Sequence, residues 1–202
     1  KFIRNDDWIA GGGEPFAITA SNVISSPPCH MDDVLPFPSW EYFIFLAVMT
    51  VARGADFLST WVATPNLVLE GNPLAKRMGW KLGLAVNVIL CVTFALLPLA
   101  AIIISTTSIL VAARNFQQAW LMRSLGEEGY RDWYISRILE AHLGIYLFCL
   151  LAQTALYTAL GAAVMYFSRY MIPFAIGLGI IGYAITVLLY TSLAIWRIRR
   201  SK

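Results

Sequence analysis

Two ionisable side chains three residues apart lie inside an apolar stretch in the first third of the chain. Arg53 and Asp56 occupy one face of the helix that this stretch predicts, and Thr60 follows on the same face four residues later. An ionised side chain at the centre of a membrane-spanning helix costs on the order of 2.5–3.5 kcal/mol on insertion scales, so it needs polar partners. The pattern therefore predicts an inward-facing polar site in a helical membrane bundle.

Polar side chains also recur at helical spacing in the later apolar stretches. Because lipid offers no hydrogen bonds, these side chains must face one another inside the bundle. Such a cluster either holds the helices together, at about 0.6 kcal/mol per interhelical bond, or forms a functional site, and the sequence leaves both open. We expect one intramembrane polar cluster that contains Arg53, Asp56, Thr60, Asn87, Gln153, Tyr157 and Tyr183.

The composition places these side chains in a membrane protein. Hydrophobic residues make up 58% of the 202-residue chain and charged residues 13%, whereas soluble domains carry about 25% charged residues. A bilayer-spanning helix needs about 20 apolar residues. Four stretches are long enough, at 40–63, 81–104, 143–166 and 172–195. The sequence therefore predicts an all-α fold, an integral membrane four-helix bundle with an irregular N-terminal arm.

Two further segments accompany the predicted spans. Residues 1–39 are rich in turn formers, and we expect an irregular cytoplasmic arm that either covers the bundle or docks on a partner protein. Residues 40–202 then form the four-span bundle. The second span continues past the length that a bilayer needs, with a bend expected at Pro98, and this excess predicts a cytoplasmic helical hairpin around 105–142.

The basic residues are distributed unevenly about the predicted spans. If all four spans cross the bilayer, ten Lys and Arg residues lie on the side that holds both termini, and four lie on the other side. Positive residues favour the cytoplasmic side of a membrane. We therefore expect a multi-pass protein of the cell inner (cytoplasmic) membrane with both termini in the cytoplasm.

A polar motif follows the first predicted span, at Glu70, Asn72 and Pro73 in the expected outer loop. Together with Asp56 and Thr60, it resembles a family of small polytopic bacterial and archaeal membrane proteins known only as a domain of unknown function. The family pattern has an aspartate in the first span, a threonine four residues later and a glutamate-any-asparagine-proline box. The resemblance implies a polytopic bundle and brings no activity with it. Because the motif and Asp56 both lie near the outer surface, we expect one cluster of Asp56, Thr60, Glu70 and Asn72.

The spacings of the polar residues match no common catalytic or metal-binding motif. Asp56, Glu70 and His142 are suitable metal ligands, but the predicted topology separates His142 from Glu70 by most of a bilayer. We therefore expect no metal and no cofactor, and the sequence leaves any catalytic residues unknown. Nothing in the loops favours nucleic-acid binding.

The small size and the apolar residues of the N-terminal arm favour an accessory or scaffold transmembrane subunit of a larger membrane protein assembly. Its partners would be the lipid bilayer and other membrane subunits. We expect those subunits to bind through the arm and through the glycine-bearing fourth helix, which contains Gly177, Gly179 and Gly182. Two alternatives stay open: a small transporter or channel with an Arg53/Asp56 ion or proton relay, and an intramembrane enzyme acting at the outer leaflet.

Overall fold

The described part of the protein is almost entirely helical. The computed structural model describes residues 34–68 and 73–200, and for residues 73–77 the backbone alone. This confirms the predicted all-α class for these residues, while residues 1–33 of the predicted arm lie outside them. The described residues form six helices, α1 (Trp40–Ala63), α2 (Pro73–Phe94), α3 (Pro98–Leu125), α4 (Glu127–Glu140), α5 (Leu143–Tyr166) and α6 (Met171–Arg200).

Four of these helices, α1, α3, α5 and α6, are long and apolar enough to cross a bilayer. The bounds of α1 and α5 coincide with the predicted spans 40–63 and 143–166, and α6 contains the predicted span 172–195. These spans are predictable because each is a long, mainly apolar stretch with a clear start. At α1, for example, the Ser39 hydroxyl accepts a hydrogen bond from the Tyr42 amide (3.2 Å) and so caps the helix.

The predicted second span, 81–104, is wrong. The chain turns between Phe94 and Pro98, so that α2 ends and α3 begins inside the segment that was expected to be one helix. Pro98 occupies the first turn of α3, and Leu97 before it is extended (φ −116°, ψ 93°), a conformation that a following proline favours. The proline therefore starts a new helix here instead of bending a continuous one.

The predicted hairpin around 105–142 differs from the structure in its first half. Residues 105–125 belong to α3, which has the length and composition of a membrane span. Only α4 remains as a short polar helix. Gly126 joins it to α3 with φ 72°, a positive value that glycine adopts without steric cost.

α1 and α3 run parallel, and α2 returns the chain between them. The contacts between α1 and α3 advance together along both helices, from Arg53 with Ser108 to Thr64 with Glu127 at the start of α4. The Trp80 indole, near the start of α2, donates a hydrogen bond to the loop that follows α1 (2.8 Å). α2 therefore lies antiparallel to α1.

The described chain begins and ends at opposite ends of the bundle. The Leu35 amide donates to the Leu96 carbonyl in the turn between α2 and α3 (2.9 Å), and we call this the Leu35 end. The Arg199 guanidinium donates to the Ala141 carbonyl between α4 and α5 (2.9 Å), at what we call the Glu127 end. Residues 1–33 lie outside the described residues, so the prediction that both termini lie on one side of the membrane stays a prediction.

Exposed aromatic side chains mark two levels of the bundle. Trp40 and Trp61 lie at opposite ends of α1, 21 residues apart. At 1.5 Å per residue this is about 31 Å, close to the roughly 30 Å hydrocarbon thickness of a bilayer. Aromatic residues favour the interfaces of the membrane, so these levels give the depth of other side chains. The Leu35 end carries Trp40, Tyr166, Phe167 and Tyr170, and the Glu127 end carries Trp61, Trp120, Trp133 and Trp196.

The glycines of α6 pack against helices of the same chain. A Cβ atom added at Gly177 would stand 2.6 Å from the Gly161 carbonyl oxygen of α5, and one added at Gly179 would stand 2.7 Å from Thr106 of α3. Gly182 also faces α3. Small residues permit this close backbone approach between membrane helices. The glycine-bearing surface that was expected to bind other subunits is therefore occupied by α3 and α5.

Candidate functional site

The Arg53 guanidinium lies among acceptors from three helices. Its Nε donates to Oδ1 of Asn87 on α2 (2.8 Å), and its Nη1 donates to Oδ2 of Asp56 (2.9 Å) and Oγ of Ser108 on α3 (3.1 Å). Its Nη2 also donates to the Asn87 oxygen. All three guanidinium nitrogens therefore have acceptors, and the ion pair with Asp56 offsets the positive charge.

Local helix geometry positions this group. Arg53 and Asp56, three residues apart, share one face of α1. Asn87 donates from its own Nδ2 to the Gly83 carbonyl one turn earlier (2.8 Å), which leaves its side-chain oxygen to accept from Arg53. The Arg53 and Asp56 side chains are only 25% and 17% exposed. The ion pair is therefore sheltered from lipid by the neighbouring helices.

Thr60 lies one turn further along α1, but its hydroxyl bonds to the backbone. The Oγ1 atom of Thr60 and the Oγ atom of Ser59 both donate to the Asp56 carbonyl oxygen, at 3.0 and 2.8 Å. Both hydroxyls accept from Nδ2 of Asn115 on α3, at 3.3 and 3.2 Å. Ser108 and Asn115 were not predicted as members of the site, because the predicted spans leave that part of α3 outside the membrane.

The predicted single polar cluster is divided in two. Gln153 and Tyr157 on α5 and Tyr183 on α6 line a separate cavity of about 230 Å³, together with Arg114 on α3. The Tyr157 and Tyr183 rings meet edge to face, with centroids 5.4 Å apart. Ser108 and Arg114, six residues apart, point about 120° from each other around α3. The Arg53 group and this cavity therefore occupy different faces of α3.

Arg114 is a second intramembrane cation, although the predicted spans leave it outside the membrane. It lies six residues before Trp120 on α3, about 9 Å inside the aromatic level of the Glu127 end. Its neighbours are Tyr183 on α6, toward the middle of the bilayer, and Tyr130 and Tyr134 on α4, at the Glu127 end. Among the residues that the structure describes, no carboxylate forms an ion pair with it. Pro98 is the signal that could have identified it, because a helix starting there must carry residue 114 inside the membrane.

The cavity opens sideways between α3 and α5. α5 packs mainly on α6 and leaves this side of α3 uncovered. Gln117 on α3 and Gln153 on α5 are exposed at the two edges of the opening. An amide in hydrocarbon is unfavourable without a hydrogen-bond partner, so the opening indicates a site for a polar group from outside. We call it the α3/α5 cleft, defined by Arg114, Gln117, Gln153, Tyr157 and Tyr183.

At the Glu127 end, one carboxylate connects α4 to the loop after α1. Glu127 accepts hydrogen bonds from the Thr64 hydroxyl (2.7 Å) and the Val68 amide (3.0 Å). It also accepts from the backbone and side-chain nitrogens of Asn66, at 2.9 and 3.0 Å. Burial alone would raise the pKa of Glu127, but these four hydrogen bonds outweigh it and hold the pKa below its ordinary value.

The predicted outer-loop motif falls mostly outside the described residues. Glu70 and Asn72 lie outside them, and Pro73 is described by its backbone as the first residue of α2. The expected cluster of this motif with Asp56 stays a prediction. Val68, the last described residue before the motif, lies at the Glu127 end beside α4.

The described side chains do not assemble a metal site. Within residues 34–68 and 73–200, no three His, Cys, Asp or Glu side chains come together in a group that could hold a metal ion. Asp56 pairs with Arg53, and His142 is exposed just before α5. Glu70, the third ligand considered from the sequence, lies outside the described residues.

Comparison with known proteins assigns no family and no function to the chain. No family model, no curated protein and no solved structure matches the chain. The resemblance to a family of unknown function, which depends on Asp56, Thr60 and the motif after α1, therefore stays a prediction.

Proposed function

We propose that the protein is an accessory subunit of a larger membrane assembly, and that its α3/α5 cleft receives a transmembrane helix of another subunit. The observation that carries this proposal is the exposure of Gln117 and Gln153 at the edges of the cleft. Gln117 lies three residues inside Trp120, and Gln153 lies ten residues into α5, so both stand at hydrocarbon depth. Polar side chains at such positions bond across membrane helices, at about 0.6 kcal/mol each on average.

The rest of the exposed surface of α5 is mostly apolar. Phe148, Leu151 and Leu156 are among its exposed side chains. A helix surface of this composition is stable in contact with lipid and requires no protein partner. The two glutamines are therefore local exceptions, and they favour the cleft over the remaining surface as the place where another subunit binds.

The hydrogen bonds of Arg53 favour a structural role for this group in an accessory subunit. A proton or ion relay needs a group that exchanges partners, whereas each Arg53 nitrogen has an acceptor fixed by helix packing. These bonds join α1, α2 and α3, and α3 forms one wall of the cleft. The relay and the outer-leaflet enzyme, which requires Glu70 beside Asp56, gain no such support from the described residues.

Extraction from native membranes with a mild detergent tests the proposal. We expect the protein to migrate as a complex much heavier than its own 22.5 kDa, with a partner in constant stoichiometry. The double substitution Gln117→Leu/Gln153→Leu should release the chain from this complex, because it removes both exposed amides from the cleft.

The matched control is Leu156→Ala, a lipid-facing change on α5 away from the cleft, which should leave the complex intact. A wild-type chain that is extracted as a monomer would contradict the accessory role. A double variant that retains the partner would show that binding takes place on another surface.

We also propose that the protein spans the cell inner (cytoplasmic) membrane with its Glu127 end in the cytoplasm. Positive residues favour the cytoplasmic side. Among the basic side chains described at the helix ends, Arg169 is the one at the Leu35 end. In this orientation α2 also crosses the bilayer between α1 and α3, so the end of α6 is cytoplasmic and Val34 is outside, in contrast to the expectation that both termini are cytoplasmic. The Glu127 end carries Lys81, Arg123, Arg131, Arg137, Arg197, Arg199 and Arg200.

A further inference from the structure

We infer that the helix received by the α3/α5 cleft carries a carboxylate, from an Asp or Glu side chain at mid-membrane depth, and that this carboxylate pairs with Arg114. The inference rests on the proposed function, because it specifies the chemistry of the partner helix. Three properties of the cleft support it: its charge, its depth and its hydrogen-bond donors.

Charge distinguishes Arg114 from the other intramembrane arginine. Arg53 forms an ion pair with Asp56 at 2.9 Å, whereas no carboxylate in the described part of the chain pairs with Arg114. An uncompensated cation in hydrocarbon is unfavourable, and a guanidinium binds a carboxylate through two parallel hydrogen bonds. Arg114 therefore requires an anion that comes from outside the described helices.

Depth favours a carboxylate on a helix over a lipid headgroup. The Cα atom of Arg114 lies about 9 Å inside the level of Trp120, and its charge acts on Tyr183 of α6 and also on Tyr130 and Tyr134 of α4. A phospholipid phosphate resides at the interface and would have to enter hydrocarbon to reach this guanidinium. An Asp or Glu side chain near the centre of a transmembrane helix is held at this depth by its own helix.

The cavity adds neutral donors around the cation. Tyr157, Tyr183 and Gln153, whose side chains carry hydroxyl and amide donors, belong to its lining. A carboxylate has about four acceptor positions, so these groups can donate to the oxygen lone pairs that Arg114 leaves open. The volume of about 230 Å³ suits one inserted side chain, while the partner helix itself lies along the opening.

The described helices of a second copy do not offer this carboxylate. Asp56 is paired with Arg53, and Glu41 lies in the first turn of α1 at the Leu35 end. In the part of the chain that the structure describes, the remaining acidic side chains belong to α4, at Glu127, Glu128, Asp132 and Glu140. No described helix of a second copy is therefore the partner, and the proposed occupant is a helix of a different chain.

The test uses the full-length protein in phosphatidylcholine vesicles with designed transmembrane peptides. Each peptide is a leucine-alanine helix flanked by lysines, with Glu, Gln or Leu at its central position. Energy transfer to a fluorophore on an engineered Asp132→Cys, in a chain whose three native cysteines are replaced by alanine, reports binding. We expect the Glu peptide to bind at least about tenfold more tightly than the Leu peptide, which corresponds to about 1.4 kcal/mol.

Substitution of the cation should remove this preference. Arg114→Gln should make the Glu and Leu peptides bind equally, whereas Arg114→Lys, which keeps the charge, should retain part of the difference. Phe116→Leu, on an exposed position of the same helix outside the cleft, is the matched control and should behave as the wild type. Should Arg114→Gln fail to fold, Tyr157→Phe and Gln153→Leu must each weaken the preference for Glu, and their failure to do so overturns the inference.

Two further results would overturn it. One is equal binding of the Glu and Leu peptides to the wild type. The other is loss of Glu-peptide binding when phosphatidylglycerol replaces part of the phosphatidylcholine, which would assign Arg114 to a lipid phosphate. A native complex that survives Arg114→Gln, together with no preference for Glu, defeats this inference and leaves the accessory role standing, whereas a wild-type monomer after mild extraction defeats the accessory role itself.

Discussion

Single polar side chains connect the helices of this bundle, and the contribution of Glu127 to stability changes with pH. Its carboxylate accepts four hydrogen bonds from Thr64, Asn66 and Val68, so it joins the start of α4 to the loop after α1. These donors favour the ionised carboxylate and lower its pKa in the folded protein, against the opposing effect of burial.

We expect Glu127 to stabilise the fold at neutral pH and to lose this effect in acid. Because its folded-state pKa lies below its unfolded-state value of about 4.3, its contribution is complete above that value and is lost as the pH falls through the folded-state pKa. Thermal unfolding in detergent from about pH 7 to about pH 3 measures this effect. Glu127→Gln should lower the melting temperature at neutral pH and remove the Glu127 part of the pH dependence.

The adjacent Glu128→Gln is the control, because Glu128 is exposed and no hydrogen bond from another described residue to its side chain is found. It should keep the wild-type profile. If Glu127→Gln also keeps that profile, the four contacts of Glu127 do not contribute to stability.

At the scale of elements, the helices are held together by two kinds of interface, one polar and one formed by glycine. α1 and α3 are joined by polar side chains, from Arg53 with Ser108 to Thr60 with Asn115. α5 and α6 are joined by close backbone approach at glycine, and the Gly161 and Gly177 backbones leave no room for a Cβ atom. The second interface positions α5 and therefore sets the width of the α3/α5 cleft.

We expect Gly177→Ala to separate α5 from α6. The added methyl group would stand 2.6 Å from the Gly161 carbonyl oxygen, a distance that side-chain rotation cannot relieve because the oxygen belongs to the backbone. The expected loss is about 1–3 kcal/mol, the usual effect of overpacking. Reversible unfolding in mixed detergent micelles gives the difference in free energy of unfolding.

Gly54→Ala is the matched control within a membrane helix. A Cβ atom at Gly54 meets no heavy atom within 4 Å, so the substitution should be neutral or should stabilise α1 by up to about 1 kcal/mol. Equal effects of the two substitutions would show that the α5–α6 contact at Gly177 is not close-packed.

At the scale of the whole molecule, the path of the chain sets which segments share a side of the membrane. Near the start of the described residues, Leu35 lies beside Leu96. Near their end, Arg199 lies beside Ala141, at the other end of the bundle. The loop after α1 and helix α4 share the Glu127 end. The proposed orientation therefore places both of them in the cytoplasm.

Cysteine labelling in intact cells distinguishes this orientation from the alternatives. In a cysteine-free background, we expect Val34→Cys to react with a membrane-impermeant maleimide in intact cells, because Val34 is exposed at the Leu35 end. Asp132→Cys, exposed on α4, should react only after the membrane is permeabilised. Labelling of both from the same side would mean that the chain does not cross the membrane as its helices indicate, and the reverse pattern would mean that the bundle is inverted.

The local part of the fold could be read from the sequence. The spans at α1 and α5 follow from long, mainly apolar stretches, and the Arg53–Asp56 pair follows from a spacing of three residues on one helix. The break between Phe94 and Pro98 could not be read in this way. The turn there is itself apolar, so average hydropathy continues across it, and its detection depends on reading proline as a helix start rather than as a bend.

By itself, the sequence determined that the protein is a helical membrane bundle and that Arg53 and Asp56 share one face of α1, because both depend on residues near one another in the chain. Only the tertiary structure decided which polar faces meet. It joined Arg53 to Asn87 and Ser108, and it placed Gln153 and Tyr183 with Arg114 in a separate cleft. Those pairings depend on helix contacts between distant parts of the chain, and no periodicity within one helix encodes its neighbour.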